Sequence, residues 1–356
     1  MGNIRLLVLG MNRKWFTRRS TDFDDSVNTD LLEKHGIDAF VIGPGHGEVP
    51  RSFKEVLTIM GGPPDVIITS AVWKSQYWRK GDPRKRLVEK LIGATPLQFE
   101  NFNRIWEEVM ASESLFKIAR IEHDFWLKKD SGSVVAQPQA DYRIINPYAS
   151  PSMLGDISRF WPNARVYFLP FSVKPEFIRD VNPPNKIWDV CVPGKGNLGH
   201  PLYPYRGPMR AIMTSSGFSY PPYSNSTGKR PTQWDFFNLM RASRMVVFSG
   251  TNWKVPIKKF SESLASGSLV LAHPGLKIYK DLGIVHGRHF IQCPIDEAES
   301  TVKRFLDKPR LREKVAAAGK KFFIENLSQD VVTERWFVPL VHEIHGESEV
   351  NIRGKL

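Results

Sequence analysis

Short apolar runs alternate with amphipathic segments along the 356 residues of this chain. The apolar runs have the length of strands that are buried on both faces, and the segments between them have the period of surface helices. Strands that alternate with helices at this spacing form a parallel sheet covered by helices on both sides. The pattern therefore predicts an α/β fold.

The strand pattern occurs twice, once in each half of the chain. The first series of predicted strands is Ile4–Gly10, Ala39–Gly43, Asp65–Ser70, Phe116–Ile121, Tyr142–Asn146 and Arg165–Leu169. The second series is Trp188–Val192, Met245–Phe248, Leu269–Ala272 and His289–Cys293. The main predicted helices are Asp25–His35, Phe53–Ile59, Asn103–Met110, Glu297–Leu306, Pro309–Asn326 and Val331–Ile344.

A proline-rich stretch without period, Pro170–Asn185, separates the two series and is predicted to be a linker. We therefore expect one domain over residues 1–180 and a second over 181–330. Within the second domain, Gly196–Gly228 is predicted to be rich in loops.

The charge and cysteine content narrow the function classes. The formal net charge of +13 indicates a polyanionic partner: nucleic acid, an anionic membrane surface or an anionic polymer. Cys191 and Cys293 provide neither a disulfide framework nor metal-ligand spacing, which is typical of the reducing cytosol. No apolar run is long enough for a membrane span and no secretory signal precedes the first strand, so we expect a cytoplasmic protein without membrane insertion.

The segment Trp253–Gly275 has the most specific pattern in the chain. It contains Pro256, Lys258, Glu262 and Gly267 in the arrangement Pro-x-Lys-x-x-x-Glu-x-Leu-Ala-x-Gly, followed by an apolar strand. The pattern predicts a helix that Gly267 ends. A lysine beside the free N–H groups of a helix suits a diphosphate, and a carboxylate one turn later suits ribose hydroxyls. The segment therefore predicts a binding site for a nucleotide diphosphate.

This segment resembles the donor-binding segment of GT-B glycosyltransferases, in particular the retaining families related to family 4 (glycosyltransferase group 1), including their spore-maturation-protein-like branch. The resemblance implies two Rossmann-like domains whose parallel sheets face each other across a cleft. The domain at 1–180 would bind the acceptor and the domain at 181–330 the nucleotide sugar. The C-terminal helix, within 331–356, would return to the first domain.

The resemblance also implies the chemistry of the donor site. The donor would be a nucleotide sugar linked to UDP, and no metal or other cofactor would be required, because basic side chains and helix dipoles stabilise the leaving diphosphate. Family 4 enzymes usually carry a further glutamate eight residues before Glu262, but Lys254 stands at that position here. The sequence therefore leaves both the retaining and the inverting outcome open.

Other donor-site candidates follow the strands of the second domain, at the edge where ligands of open α/β sheets bind. Lys195 lies in a glycine-rich turn, Pro193-Gly-Lys-Gly-Asn-Leu-Gly199. Arg206 ends Tyr203-Pro-Tyr-Arg206, and a similar Tyr-Pro-x-Arg recurs in the spore-maturation-like branch. The predicted donor-binding residues are Lys195, Arg206, Ser249, Thr251, Lys258 and Glu262.

Two loops of the first domain concentrate positive charge among aromatic residues. Asn12-Arg-Lys-Trp-Phe-Thr-Arg-Arg19 follows the first strand, and a second loop, residues 73–86, follows the third. Basic groups contact phosphates, and aromatic rings stack on bases or wedge into a duplex. The predicted acceptor-binding residues are Arg13, Lys14, Trp15, Arg18, Arg19, Trp73, Lys74, Tyr77, Trp78, Arg79, Lys80, Arg84, Lys85 and Arg86. A solvated basic face with packed tryptophan stems would have the same composition.

An inverting enzyme needs a general base near the acceptor hydroxyl. His123 and Asp124 follow the fourth strand and are the first candidates, and Asp24 is the second, with Asp22 and Asp25 beside it. Those three aspartates fit the first turn of a helix equally well. His46, in Gly43-Pro-Gly-His-Gly47, is predicted to be a turn residue, and the glycines there do not complete a dinucleotide-binding fingerprint.

Three functions agree with these patterns. The first is a glycosyltransferase with a polyanionic acceptor, such as DNA with hydroxymethylated pyrimidines, by analogy with phage DNA glucosyltransferases of the same fold. The second is a glycosyltransferase for a saccharide, lipid-linked or protein acceptor. The third is a non-catalytic nucleic-acid-binding protein on a GT-B scaffold.

Overall fold

The structure is a computed structural model, and it describes residues 3–10, 27–70, 95–112, 116–122, 142–145, 165–178, 185–194, 198, 203–221, 233–251, 257–275 and 282–346. Among these residues the chain divides into two compact units. The first unit contains the described residues up to 145, residues 165–169 and residues 332–346, and the second contains residues 170–331.

The elements of the first unit alternate as the hydrophobic pattern indicates. Its strands are β1 (Ile4–Leu9), β2 (Ile37–Ile42), β3 (Val66–Ser70), β4 (Lys117–Glu122), β5 (Tyr142–Ile145) and β6 (Arg165–Phe168). Its helices before the crossing to the second unit are α1 (Thr29–Leu32), α2 (Phe53–Ile59) and α3 (Pro96–Ala111). A single 3₁₀ turn, Glu33–His35, extends α1.

The second unit contains a shorter sheet with more helix around it. Its strands are β7 (Trp188–Cys191), β8 (Ser243–Phe248), β9 (Leu269–Ala272) and β10 (Ile291–Gln292). Its helices are α4 (Pro175–Ile178), α5 (Arg206–Ser215), α6 (Gln233–Arg241), α7 (Lys258–Ala265), α8 (Ala298–Asp307) and α9 (Pro309–Leu327). The chain then continues through α10 (Gln329–Val332), a π-helical turn (Thr333–Phe337) and α11 (Val338–His345).

Each unit has one parallel sheet. The first has the strand order β2-β1-β3-β4-β5-β6, and the second has the order β10-β9-β8-β7. Every described strand pair is parallel. A parallel pair needs a crossover connection, and helices that supply it cover both faces of the sheet. The prediction of an α/β fold with two parallel sheets is confirmed.

Strand β1 shows why its apolar run lacks alternation. Leu6 and Val8 point to one face of the sheet and pack in the core that includes Val341 and Ile344 of α11. Leu7 and Leu9 point to the other face and pack with the buried aromatic residues of α3. Successive side chains of a strand alternate between faces, so a strand with a core on each side must be apolar at nearly every position.

The C-terminal helix packs on the first unit, as predicted. Trp336 contacts the ring of Phe168 edge-to-face, with centroids 5.5 Å apart. The Tyr167 hydroxyl donates to Glu343 Oε1 over 2.8 Å, and Lys117 Nζ donates to the carbonyl of His345 over 2.7 Å. These polar contacts and the apolar core of the first unit hold α11 against the sheet.

Three local predictions were wrong. Helix α1 begins only at Thr29, because the Asn28 side chain accepts a hydrogen bond from the Asp30 N–H and caps it there. The linker predicted at Pro170–Asn185 starts with chain that packs in the second unit, where Phe171 and Val173 are buried. The stretch predicted to be rich in loops contains a full helix, α5, because Met209 and Met213 place an apolar stripe against the sheet.

No helix among the described residues is long and apolar enough to cross a membrane.

Candidate functional site

The carboxyl ends of β7, β8, β9 and β10 form one edge of the second sheet. Ligands of open α/β sheets bind outside this edge. The helices run in the opposite direction to the strands, so the N-termini of helices also lie there and contribute partial positive charge. We call this edge the donor edge, and it contains five of the predicted donor-site residues: Arg206, Ser249, Thr251, Lys258 and Glu262.

Arg206 is the most constrained of these residues. It is the first residue of α5 and is only 4% exposed. Its Nε donates to the hydroxyl of Ser249, which follows β8, over 3.1 Å. Its guanidinium carbon lies 4.0 Å from the centre of the Tyr203 ring. Because arginine keeps its charge in proteins, the donor edge contains a fixed, partly desolvated cation.

Gly194 makes room for this guanidinium. It follows β7 with φ +96°, and a Cβ atom added to it would lie 2.6 Å from Arg206 Nη1. Arg210, one turn further along α5, donates from Nη2 to the carbonyl of Gly194 over 2.6 Å. The absence of a side chain at Gly194 therefore allows the Arg206 side chain to approach the backbone closely.

Tyr205 connects α5 to the other two strands. Its hydroxyl donates to the carbonyl of Cys293, which follows β10, and its ring meets the His273 ring edge-to-face at 4.6 Å. Burial raises the pKa of Tyr205 above its usual value and raises the pKa of the Cys293 thiol to about 11. Cys293 is therefore a thiol at neutral pH, which makes it a poor nucleophile.

The dipeptide Tyr205–Arg206 thus contacts residues that follow all four strands. Arg206 contacts the ends of β7 and β8 through Gly194 and Ser249, and Tyr205 contacts the ends of β9 and β10 through His273 and Cys293. Side chains held from several strands at once are preorganised, because their positions do not depend on a single loop.

Helix α7 begins at Lys258, within the segment that carried the strongest sequence pattern. Its N-cap, Ile257, is extended and offers no side-chain cap, and the first turn contains no acidic residue. Gly267 follows the helix with φ +70°, as predicted. An uncapped N-terminus next to a lysine favours an anion through its backbone N–H groups and its dipole.

Glu262 is buried within α7 and is 2% exposed. Its Oε2 forms an ion pair with Lys259, and the Lys259 ammonium lies 5.1 Å from the centre of the Phe236 ring. The sequence did not single out Lys259, although its position three residues before Glu262 is a known spacing for helical ion pairs.

Thr251 supplies a buried hydroxyl near the end of β8. The residue is 8% exposed, and its Oγ1 has no hydrogen-bond partner among the described residues. Buried polar atoms in folded proteins are nearly always hydrogen-bonded, so an unsatisfied hydroxyl at a ligand-binding edge marks a position where a ligand can supply the partner.

Many predicted site residues lie outside the described part of the chain. They are Lys195 of the donor set, the catalytic candidates His123, Asp124 and Asp24, and all fourteen basic and aromatic acceptor candidates at 13–19 and 73–86. Asp22 and Asp25 are also outside it. His46 is described, and its N–H donates to the carbonyl of Gly43 in a turn, as expected.

The sequence did not select Arg210 or His273 for the donor edge. Arg210 is four residues after Arg206 and therefore on the same face of α5, a signal that would have required the helix to be recognised. His273 directly follows β9, so its position at the carboxyl edge was available from the strand prediction alone.

No family model matches the chain, and no curated protein matches it. Among solved structures, the chain is similar to sucrose-phosphate synthase from Thermosynechococcus elongatus, with a TM-score of 0.55 and 12% identity, covering 97% of this chain and all of that one. A glycosyltransferase from Rickettsia africae gives a TM-score of 0.51 at 12% identity, covering 98% of this chain and all of that one.

A weaker likeness is to the pneumococcal O-GlcNAc transferase GtfA in complex with UDP and GlcNAc. It has a TM-score of 0.45 and 10% identity, and covers 68% of this chain. This chain matches about half the length of GtfA, since 55% of that protein is covered.

These identities are low enough that the likeness shows the fold alone. The two stronger matches span almost the whole chain, and both units have the parallel sheets and flanking helices expected of the class. The protein has the two-domain GT-B fold, as predicted. The assignment to family 4 or to its spore-maturation-like branch stays a prediction.

Proposed function

We propose that this protein is a glycosyltransferase that transfers a sugar from a nucleotide diphosphate to an acceptor hydroxyl. The observation that carries the proposal is the buried Arg206, fixed at the carboxyl edge of the second sheet of a GT-B fold. The guanidinium of Arg206 holds a permanent charge and a planar set of N–H donors at this edge, a geometry that matches the oxygens of a diphosphate. A diphosphate at this edge would supply the negative charge.

The same residues suit the chemistry of the leaving group. When the bond between the sugar C1 and the phosphate oxygen breaks, its electron pair stays on that oxygen, and negative charge on the diphosphate increases. Arg206, Lys258 and the N-terminus of α7 would stabilise this charge from fixed positions. This arrangement supports a donor site that needs no metal.

Ser249, Thr251 and Glu262 would hold the remainder of the donor. Thr251 offers an unsatisfied hydroxyl, and the Lys259 ion pair orients the carboxylate of Glu262, which would accept hydrogen bonds from the ribose. Lys195 would add charge from the turn after β7. The UDP group and the place in the family 4 branch rest on the sequence resemblance alone.

The proposed acceptor is polyanionic, with DNA that carries hydroxymethylated bases as its specific form. The support is the net charge of +13 and the two segments, 13–19 and 73–86, in which basic residues stand among aromatic ones. Such a base would have to leave the helix before its hydroxyl could react. His123 and Asp124, or else Asp24, would then be the general base of an inverting enzyme.

The first experiment is an incubation of the protein with a panel of nucleotide sugars, with and without DNA that contains hydroxymethylcytosine or hydroxymethyluracil. Released nucleotide would be measured by chromatography, and the digested DNA would be examined by mass spectrometry for a sugar adduct. We expect release from a UDP sugar and a hexose or pentose mass shift on one nucleoside.

Lys258→Ala and Glu262→Gln should lose this turnover but keep their folded structure. The matched control is Lys303→Ala, which should keep the turnover. Lys303 is an exposed lysine of α8 that pairs with Glu299. Hydrolysis of the donor without a DNA adduct would support the glycosyltransferase activity but contradict the DNA acceptor. The acceptor would then be sought among glycans, lipid-linked saccharides and proteins. DNA binding without turnover of any donor would contradict the proposed glycosyltransferase activity and favour a non-catalytic nucleic-acid-binding protein.

A further inference from the structure

Arg210 is one turn after Arg206 on α5 and is not among the residues of the proposed donor site. Residues four apart on a helix share a face, so the two arginines start from neighbouring positions. Both of them reach Gly194, in the chain that follows β7. Arg206 is buried, whereas Arg210 is half-buried. The contacts of Arg210 indicate that it supports the backbone beside Arg206.

Arg210 holds the chain after β7 at two carbonyl groups. Its Nη2 donates to the carbonyl of Gly194 over 2.6 Å and to the carbonyl of Val192 over 3.3 Å. The last described pair between β7 and β8 joins Cys191 to Val246, so both carbonyls come after the paired part of the strand. The arginine side chain therefore supplies hydrogen bonds to the backbone beyond the point where the strand pairing ends.

The Arg210 side chain is held in turn by the segment that follows α5. Its Nε donates to the Tyr220 hydroxyl over 3.0 Å. The residue before this tyrosine, Ser219, is tied to β7: the N–H of Asp189 donates to the Ser219 carbonyl, and the Ser219 N–H donates to Asp189 Oδ2, each over 3.0 Å. A planar guanidinium donates in several directions at once, which lets one side chain join these two stretches of chain.

Gly194 connects Arg210 to the cation of the proposed donor site. An added Cβ atom at Gly194 would lie 2.6 Å from Nη1 and 3.0 Å from Cζ of Arg206, so the Arg206 guanidinium lies directly against this backbone. On another side, Arg206 Nε donates to the Ser249 hydroxyl over 3.1 Å. A shift of the chain at 192–194 would therefore remove one of the two supports that fix the position of this guanidinium.

We propose that Arg210 is a positioning residue of the donor site. By holding the chain at 192–194, it fixes the backbone against which the Arg206 guanidinium packs, and so sets where Arg206 meets the diphosphate. The inference rests on the proposed function, because the position of Arg206 matters only if Arg206 binds the donor. Hydrogen bonds weaken steeply when their alignment is lost, so a small displacement of the guanidinium lowers the affinity for the diphosphate.

The test is the Kd for UDP, measured by calorimetry on variants of the whole chain. We expect Arg210→Met to bind UDP about tenfold more weakly than the wild type. Arg210→Lys keeps the positive charge but lacks the planar fork that reaches the two carbonyls and the hydroxyl together, so it should regain little of the loss. Full UDP affinity in Arg210→Lys would overturn the proposal, because charge alone would then explain the effect.

Tyr220→Phe tests the same support without changing any charge. It removes the acceptor for Arg210 Nε, and we expect roughly threefold weaker UDP binding. This variant decides the result if Arg210→Met does not fold. A wild-type Kd in either variant would contradict the proposal.

Arg312→Met is the matched control for a general loss of stability. Arg312 is also a helical arginine that donates to a backbone carbonyl, that of Phe305 over 3.0 Å, but it belongs to α9 and not to the donor edge. It should bind UDP with wild-type affinity, whatever its stability in urea. Equal weakening in Arg312→Met and Arg210→Met would overturn the positioning role.

A double-mutant cycle shows whether Arg210 acts through Arg206. If it does, the variant that combines Arg206→Met with Arg210→Met should bind UDP within about twofold of Arg206→Met alone. Losses that multiply in the combined variant would contradict the proposal but leave the donor site in place. Wild-type affinity in Arg206→Met, or no UDP binding by the wild type, would contradict the proposed function itself and the role of Arg210 with it.

Discussion

The two ends of the second sheet both collect positive charge, but they do so in different ways. At the donor edge the buried cation is an arginine that contacts Ser249 and Gly194, and helix N-termini lie around it. At the opposite edge, where the strands begin, Lys186 donates to the carbonyl of Gly267 at the end of α7. Helix dipoles therefore repel cations at the first edge and attract them at the second.

The difference shows which of the two positive charges is permanent. A buried lysine can avoid the free-energy cost of its charge by losing its proton. The pKa of Lys186 is lowered to about 7, mainly by burial, which is this effect. An arginine near helix N-termini cannot, because its charge is permanent. The donor edge therefore keeps its positive charge at every ordinary pH, whereas the charge of Lys186 changes near pH 7.

Replacing Arg206 should affect the donor edge most. Arg206→Met keeps much of the side-chain volume but removes the charge. The variant would lose two charge-assisted hydrogen bonds to a diphosphate, at about 1.5 kcal/mol each, so we expect roughly 100-fold weaker binding. The measurement is the Kd for UDP by calorimetry. Arg206→Lys should recover only part of the affinity, since lysine lacks the planar fork. An unchanged Kd in Arg206→Met would remove this residue from the site.

Gly194→Ala should displace the guanidinium of Arg206, because a side chain at position 194 would collide with it. The new Cβ would lie 2.6 Å from Arg206 Nη1, and alanine is also strained at φ +96°. We expect a loss of about 2 kcal/mol in the free energy of unfolding, together with weaker UDP binding. Gly217→Ala is the matched control, because Gly217 has φ +72° and open space around its Cα. Equal losses in the two variants would indicate backbone strain alone.

The lowered pKa of Lys186 should make the free energy of unfolding depend on pH. Below pH 7 Lys186 is charged in both the folded and the unfolded chain, so the folded state bears the full cost of that charge. Between pH 7 and 10.5 the folded protein loses the proton and the unfolded chain keeps it, so the free energy of unfolding rises with pH.

With allowance for residual solvent screening, we expect the wild type to gain about 2 kcal/mol relative to Lys186→Met over this range. Urea unfolding at several pH values measures the difference. A difference between the two proteins that does not change with pH would mean that Lys186 has an ordinary pKa.

Thr251→Val should have a smaller effect on the donor edge, with opposite signs for stability and binding. The substitution replaces a buried hydroxyl that lacks a described partner with a methyl group of similar shape. We expect equal or greater stability of the free protein and a loss of about 1 kcal/mol, roughly fivefold, in donor affinity. Thermal unfolding and calorimetric titration check the two parts. Lower stability together with unchanged affinity would show that Thr251 has a purely structural role.

Removal of divalent metal should have the smallest effect. If fixed cations and the N-terminus of α7 stabilise the leaving diphosphate, EDTA should leave the rate of donor turnover unchanged within error. Turnover would be measured after dialysis against EDTA, with and without added Mg²⁺ or Mn²⁺. A tenfold recovery of rate on adding metal would show that these cations are not sufficient.

The sequence was a good guide wherever a local pattern decided the structure. The apolar runs at β1, β3, β8 and β9 predicted buried parallel strands, and Gly267 predicted the end of α7, because period and φ preference act over a few residues. Helix α5 was missed because its polar face, with Arg206 and Arg210, is directed at the sheet edge. A helix whose charged residues are buried looks like a loop in a hydrophobicity pattern.

The sequence by itself determined the α/β class, the doubling of the strand pattern and the end of helix α7 at Gly267. All of these depend on side-chain period and on spacing along one element. Only the tertiary structure decided that Tyr205–Arg206 joins the ends of four strands, that Lys259 is the partner of Glu262, and that Lys186 reaches the hydroxyl of Ser268. Those contacts join residues that are distant in the chain, and they depend on strand register and helix packing, which no local pattern encodes.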